Sequence, residues 1–164
     1  MRILGVDPGT GRVGWAVMEY QGGKEVLLEC GCFETKVNSL LADRLEKVHA
    51  FIDELIKKFK PDEAAVEELF FSNNAKTAIS VGMSRGVIVL ALQQNKVPVS
   101  DYGPSKIKMA VTGFGKADKK QVQFMVKQIL KLSEIPKPDD AADAVAVALT
   151  HSAARRALGA TMRS

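Results

Sequence analysis

The sequence has few of the residues that build disulfide frameworks, zinc sites or membrane spans. Its 164 residues include two cysteines, two histidines and one tryptophan. Cys30 and Cys32 lie two positions apart, with one residue between them, and no second Cys or His pair completes a zinc site, so we expect reduced thiols on one face of a strand. No segment approaches the ~18 consecutive apolar residues of a transmembrane helix. These absences favour a soluble protein held together by an ordinary apolar core.

The composition predicts one compact domain. Apolar residues make up 46% and charged residues 26% of the chain, which is close to the average for globular proteins. We expect a single domain over residues 1–157 and a short frayed tail over 158–164. The N-terminus reaches Asp7 and Pro8 before an apolar stretch has formed, so it does not resemble a secretory signal and a cytoplasmic location is expected.

Positive charge is concentrated in one segment. Residues 104–131 hold seven lysines and one acid, whereas the whole chain has a net charge of only +4. Those lysines are Lys106, Lys108, Lys116, Lys119, Lys120, Lys127 and Lys131. A basic segment of this kind is typical of a surface that binds a polyanion, although a solvated helical face is the ordinary alternative.

The hydrophobic periodicity predicts an α/β fold. Alternation and turn formers indicate three antiparallel strands at the start of the chain, and the later pattern alternates helices with shorter strands. The predicted strands are 2–7, 13–20, 25–33, 63–69 and 97–102, and the predicted helices are 41–59, 74–95, one opening at Pro104, one from an Asp118 cap to Leu132, and 140–157. This order predicts a mixed five-stranded sheet, antiparallel and then parallel, with helices on both faces.

The helix predicted over 74–95 is apolar on an unusually wide surface. Ala78, Gly82 and Gly86 form a stripe of small residues, beside a second stripe of larger apolar side chains. A helix of this kind needs to be covered on more than one side. Contact with a second copy of the chain would cover it, and tight packing inside the monomer is the alternative.

Acidic residues occur at element ends where they can converge. Asp7 closes the first strand, Glu67 lies near the end of the fourth, and Asp140 and Asp143 open the last helix on one face. Clustered carboxylates repel one another, and they suit hard cations such as Mg²⁺. Two such ions support phosphodiester hydrolysis. Taken singly, each acid also has an ordinary reading as a turn former, a strand-end charge or a first-turn helix residue.

The spacing of the acids leaves two ambiguities open. Asp139 lies four residues before Asp143 and would share its helix face, and Glu68 directly follows Glu67. The pattern alone does not choose between the members of either pair.

Several motifs together resemble one family. They are I-L-G-V-D-P-G-T at 3–10, P-D-E-A-A-V-E-E-L-F-F at 61–71, G-x-x-R-G at 82–86, D-A-A-D-A-V-A-V-A at 140–148 and T-H at 150–151. Their order and content resemble the RuvC family of Holliday junction resolvases. The resemblance implies a ribonuclease H-like fold, a homodimer that nicks four-way DNA junctions with Mg²⁺ (or Mn²⁺ as the alternative ion), and partnership with the branch-migration proteins RuvA and RuvB.

The same resemblance implies roles for individual residues. Asp7, Glu67, Asp140 and Asp143 match the family's catalytic acids and would be the metal ligands, two ions per site. Lys108 and Lys119 match lysines that contact DNA phosphates. Phe70 matches an aromatic residue that interacts with unpaired bases at the crossover, and Phe71 is a second candidate, with a core phenylalanine as the alternative for both.

Other residues of the sequence match no family role. Lys116 and Lys120 are further candidate phosphate contacts, on the strength of their charge alone. His49 and His151 are interpreted as structural. No other titratable residue is singled out for the site.

Three other functions compete with junction cleavage. An ATP-handling domain of the actin and sugar kinase type also uses a glycine-containing turn after a first strand, but it needs a second such domain. A module that binds junctions without cutting them would be weakened by four acids at its binding surface unless metal is recruited. A relative that acts on another branched or RNA-containing substrate remains compatible with the same fold.

Overall fold

The computed structural model describes residues 1–36, 38–69 and 75–161. Strands and helices follow one another as the sequence predicts. They are β1 (Arg2–Asp7), β2 (Arg12–Gln21), β3 (Lys24–Glu34), α1 (Leu41–Phe59), β4 (Glu63–Glu67), α2 (Ala75–Gln94), β5 (Val99–Tyr102), α3 (Pro104–Thr112), α4 (Lys119–Leu130) and α5 (Asp139–Thr161).

The strands form one mixed sheet in the order β3-β2-β1-β4-β5. Strand β2 pairs antiparallel with both β1 and β3, whereas β4 pairs in parallel with β1 and β5 pairs in parallel with β4. The β2–β3 hairpin turns at Gly22 and Gly23, whose φ angles of 59° and 82° lie in the left-handed region that glycine adopts without strain. The predicted five-stranded α/β fold is confirmed.

Alternating side chains of β1 supply two separate cores. Leu4 and Val6 pack with α1 and α2 on one face of the sheet, and Ile3 packs with α3, α4 and α5 on the other. Both cores are sealed, because Ile3 and Val6 are 0% exposed and Leu4 is 1% exposed. Helices therefore cover both faces, as the strand periodicity requires.

Helix α5 lies unusually close to the sheet because small residues face it. A Cβ atom added at Gly14 would stand 2.0 Å from the backbone oxygen of Asp140, and one added at Gly5 would stand 2.4 Å from that of Ala144. The alanines of D-A-A-D-A-V-A-V-A are buried against these strands. The glycines of β1 and β2 thus determine how near the first turn of α5 comes to the end of β1.

Several element boundaries differ from the prediction by one to four residues. Strand β4 ends at Glu67 rather than at residue 69, and β5 begins at Val99 because Pro98 lacks an N–H to donate to the sheet. Helix α5 continues to Thr161 through alanine-rich sequence, four residues past the predicted end. The division into a domain over 1–157 and a tail over 158–164 stays a prediction. Among the described helices, none is both long and apolar enough to span a membrane.

Candidate active site

Four carboxylates meet at one edge of the sheet. Strands β1 and β4 pair in parallel, with Ile3 opposite Glu63 and Val6 opposite Val66. Their carboxyl ends, Asp7 and Glu67, therefore lie side by side. Helix α5 begins over this edge and brings Asp140 and Asp143. The charges of Glu67, Asp143 and Asp140 all act on Asp7, which places it at the centre of the cluster.

Burial and mutual repulsion change the acidity of the cluster. Burial, followed by the charges of Glu67, Asp143 and Asp140, raises the pKa of Asp7 to about 8. Burial and the charge of Asp143 also raise the pKa of Glu67, and burial raises that of Asp143. At neutral pH Asp7 holds a proton and donates a hydrogen bond to Glu67. Carboxyl groups crowded in this way favour the binding of positive charge.

Two cationic side chains contact the acids of α5. Arg12 Nη2 lies 3.2 Å from Asp140 Oδ2, and Lys119 Nζ lies 2.8 Å from Asp143 Oδ2. Although burial lowers the pKa of Lys119, the hydrogen bond and charge of Asp143 outweigh that effect and raise it. The sequence prediction missed Arg12, whose signal is its place directly after the D-P-G-T-G turn.

Exposure separates the acids that spacing could not. The side chain of Asp139 is 67% exposed and that of Asp140 is 28% exposed. Glu68 is exposed, whereas Glu67 is half-buried beside Asp7. The structure thus gathers Asp7, Glu67, Asp140 and Asp143, and it leaves Asp139 and Glu68 at the rim.

The turn that follows Asp7 is fixed from two sides. The buried Ser84 hydroxyl of α2 donates to the carbonyl of Gly9 at 2.8 Å. Just after β3, the Thr35 hydroxyl donates to the Thr10 carbonyl at 2.8 Å, and the Thr35 backbone N–H donates to the Gly11 carbonyl at 2.9 Å. Hydrogen bonds to consecutive carbonyls leave this loop little freedom, so Asp7 is held in a defined place.

A cleft of about 260 Å³ opens beside the acids on the side of β4, α3 and α4. Its lining includes Glu67 and Asp143 together with Lys108 and Lys119. The cleft therefore combines the acids with two of the lysines that were predicted to contact phosphates. Lys116 and Lys120 are exposed near the start of α4 and do not contribute to this lining.

The remaining predicted residues fall outside the cluster. Phe70 and Phe71 lie outside the described residues. His49 Nε2 lies 2.8 Å from Gln94 Oε1 and so links α1 to the end of α2. His151 is 2% exposed and lies 2.9 Å from the hydroxyl of Tyr102 and 2.6 Å from Glu63. These contacts agree with a structural role for both histidines.

The chemistry of the cluster fits a divalent cation. Its donors are carboxylate oxygens, which hard ions such as Mg²⁺ prefer. Within 1–36, 38–69 and 75–161, no three Asp, Glu, His or Cys side chains already surround one point at ligand distance. Arg12 and Lys119 contact two of the acids, so a cation would replace these contacts when it binds.

We predict that Asp7→Asn stabilises the protein in alkaline buffer with EDTA. The pKa of Asp7 is raised from its unfolded value of 3.8 to about 8. The contribution of this carboxyl group to the free energy of unfolding is therefore fully present below pH ~4 and is lost as the pH rises through 8. Asparagine removes this loss, and the free energy of unfolding should rise by roughly 2 kcal/mol at pH ~8.5 and by little at pH ~4. Chemical denaturation at both pH values measures the difference.

The control for this prediction is Glu46→Gln on the exposed surface of α1. It should leave the pH dependence of stability unchanged. Equal stability of Asp7→Asn and the parent at both pH values would show that the raised pKa of Asp7 is wrong.

Comparison with known proteins identifies relatives along nearly the whole chain. The model of the family described as crossover junction endodeoxyribonuclease RuvC matches residues 3–151. The protein of that name from Pelotomaculum thermopropionicum is 50% identical over 152 residues, which is 93% of each chain. The one from Finegoldia magna is 51% identical over 151 residues, which is 92% of each chain.

Solved structures of similar proteins have the same fold. The Thermus thermophilus RuvC structure superposes with a TM-score of 0.87 at 38% identity and covers 95% of this chain and 96% of its own. T. thermophilus RuvC in complex with a Holliday junction substrate gives a TM-score of 0.86 at 35% identity, with the same coverage. The yeast mitochondrial Holliday junction resolvase is 14% identical with a TM-score of 0.69, covers 92% of this chain and 77% of its own, and shares the fold.

Proposed function

This chain belongs to the RuvC family of crossover junction endodeoxyribonucleases, and we infer from that membership and from its site that it is a Holliday junction resolvase. We propose that it cuts two strands of like polarity at symmetric positions of a four-way DNA junction. The products would carry 5′-phosphate and 3′-hydroxyl ends, so that a ligase can seal them during recombination and repair.

One observation carries this proposal above the others. Carboxylates from β1, β4 and α5, which are far apart in the sequence, act on one another at the edge of a cleft lined by Lys108 and Lys119. Acids without the lysines would repel a polyanion, and lysines without the acids would only bind it. The combination supports a site that binds DNA and hydrolyses its backbone.

The proposal assigns Asp7, Glu67, Asp140 and Asp143 as the ligands of two Mg²⁺ ions, with Mn²⁺ as the alternative. When bound, such ions activate water and neutralise the leaving 3′ oxygen. The four carboxylates would hold these ions, and the ions would compensate the negative charges of the carboxylates. Glycines 5 and 14 contribute by letting α5 approach the sheet closely enough for its two aspartates to join Asp7.

The lysines of the proposed site position the DNA strand. Lys119 is 51% exposed beside Asp143, and its ammonium group can bind a phosphate next to the cut. Lys108 faces the same cleft and would bind a second phosphate. Lys116 and Lys120 are proposed as outer phosphate contacts, and Phe70 or Phe71 as the residue that stacks on unpaired bases at the crossover.

A homodimer is part of the proposal because helix α2 exposes apolar surface. Ser84, Ile88 and Leu92 are buried in the monomer, while Ile79 is 65%, Met83 48% and Leu90 50% exposed. Packing inside the monomer therefore covers only one side of α2. A second copy placed across this face would give two sites related by twofold symmetry, and paired nicks in a symmetric junction would follow from that geometry.

The cellular setting is proposed from family membership and from the state of the two thiols. Family membership supports partnership with the branch-migration proteins RuvA and RuvB. The free, half-buried thiols of Cys30 and Cys32 agree with a reducing compartment, which supports a cytoplasmic location.

The function is tested by cleavage of a synthetic four-way junction in Mg²⁺, beside linear duplex and single-stranded DNA of the same sequence. The parent should nick the junction at least ~10-fold faster than either control and should be inactive in EDTA. Tight junction binding without cleavage in Mg²⁺ or Mn²⁺ would instead identify a binding module, and equal rates on all three substrates would identify a nuclease of another specificity.

A further inference from the structure

Arg12 is a cation at the active site that neither the lysine-rich segment nor the family motifs account for. It is the first residue of β2, with its side chain 48% exposed. Its Nη2 lies 3.2 Å from Asp140 Oδ2, and its Nε lies 3.4 Å from Glu34 Oε1 at the end of β3. The guanidinium group therefore bridges the rim of the acid cluster and the edge of the sheet.

The position of Arg12 complements that of Lys119. Each side chain is about half exposed, and each contacts an aspartate near the start of α5, Arg12 meeting Asp140 and Lys119 meeting Asp143. Lys119 and Lys108 line the cleft on the side of β4, α3 and α4. Arg12 lies on β2, which pairs with β1 on the side away from β4. The acids thus stand between lysines on one side and an arginine on the other.

A DNA strand that presents one phosphate to the acids continues in both directions. On the β4 side of the acids, lysines would meet the phosphates of the strand. On the β2 side, the strand would pass over Asp140 and Glu34. Repulsion from those acids would weaken binding unless a cation screens them. Arg12 is a cation in this position, and its planar guanidinium can bind a phosphate through two parallel hydrogen bonds.

We propose that Arg12 binds a backbone phosphate of the junction strand on the β2 side of the acid cluster, exchanging its ion pair with Asp140 for the phosphate. The exchange is feasible because ion pairs between half-exposed side chains contribute little to stability. It also leaves Asp140 free for a cation. The inference rests on the proposed junction-cleaving function and adds a substrate contact to it.

The test measures junction binding by fluorescence anisotropy, with Asp7→Asn in every protein to prevent cleavage. Arg12→Gln should weaken binding by about 5- to 10-fold and lower the slope of log affinity against log salt by about 1. Arg12→Lys should retain the slope and lose part of the affinity. Arg155→Gln is the matched control, since Arg155 is 47% exposed and pairs with Glu63, at the amino end of β4. It should change neither quantity.

A second measurement locates the contact and does not depend on the folding of one variant. Single phosphates of the cut strand are replaced one at a time by neutral methylphosphonates. At one position on the side of the cut away from the Lys108 contact, the substitution should weaken binding to the protein with Arg12. The same substitution should not weaken binding to Arg12→Gln any further. If Arg12→Gln fails to fold, the substitution should weaken binding to Arg12→Lys less than it weakens binding to the protein with Arg12.

Two results would overturn the inference. One is that Arg12→Gln binds with the affinity and salt slope of the parent. The other is that Arg12→Gln and Arg155→Gln weaken binding equally, which would show an effect of net charge alone. Failure of the proposed function is distinguishable, because the protein with Asp7 intact would then fail to cleave the four-way junction in Mg²⁺, whatever the binding of Arg12→Gln.

Discussion

Replacing Asp7 with asparagine is expected to slow junction cleavage by about 10³-fold or more, which corresponds to about 4 kcal/mol of transition-state stabilisation. Asp7 is the acid on which the charges of Glu67, Asp140 and Asp143 all act. Asparagine keeps the shape of the side chain but cannot ionise to the carboxylate that a cation would bind, so the proposed metal site loses its central ligand. Single-turnover cleavage of a labelled junction in Mg²⁺ measures the effect.

Junction binding should survive this substitution, because asparagine adds no negative charge that would repel DNA. Asp139→Asn is the matched control, since Asp139 begins the same helix but is 67% exposed and lies 3.5 Å from Lys119. It should change the rate by less than about 3-fold. Parental activity of Asp7→Asn, or equal losses in the two variants, would show that the acid cluster is not the catalytic site.

Replacing Gly14 with alanine is expected to destabilise the protein by about 3 kcal/mol or more and to reduce cleavage as well. The added Cβ would stand 2.0 Å from the backbone oxygen of Asp140. A backbone atom cannot move aside as a flexible side chain can, so α5 must shift away from β2 and the core packed beneath it loses contacts. Asp140 moves with the helix, which separates it from Asp7. Chemical denaturation and cleavage rates of the same preparation measure both effects.

Gly115→Ala is the control for this substitution. A Cβ atom there would meet its nearest neighbour, the Ser105 backbone oxygen, at 3.4 Å, which is an ordinary contact. The free energy of unfolding should change by no more than about 1 kcal/mol. Comparable stability of Gly14→Ala and Gly115→Ala would contradict the close contact between α5 and β2.

Periodicity and turn chemistry predict most of this fold from the sequence. The alternation of Ile3 and Leu4 between two faces, the glycine turn at 22–23 and the Asp118 cap of α4 are local signals, and each one is found in the structure. The order of strands follows because short connections give antiparallel neighbours and helical crossovers give parallel ones. Local physics is sufficient for these features.

The candidate site is only partly predictable, because its contacts join residues distant in the sequence. Spacing could not separate Asp139 from Asp140, since the difference between them is exposure, which depends on how α5 lies on β1 and β2. Arg12 was missed for the same reason. Its partner Asp140 is 128 positions away in the chain, and the close approach that joins them depends on Gly14.

The partners of His151 were likewise invisible in the sequence. They are Tyr102 on β5 and Glu63 on β4, which come together only when α5 covers both strands. A buried histidine with two partners is a structural feature, and the helical pattern around it predicts its burial but not its contacts.

The central claim is that this chain resolves four-way junctions by paired cuts, and mapping the nicks tests it most directly. Each strand of a synthetic junction is end-labelled in turn, incubated with the protein and Mg²⁺, and the products are sized and treated with DNA ligase. The account predicts nicks in two strands of like polarity at symmetric positions, which ligase seals without further processing. Nicks in one strand only, cuts of unlike polarity, or ends that ligase cannot join would contradict it.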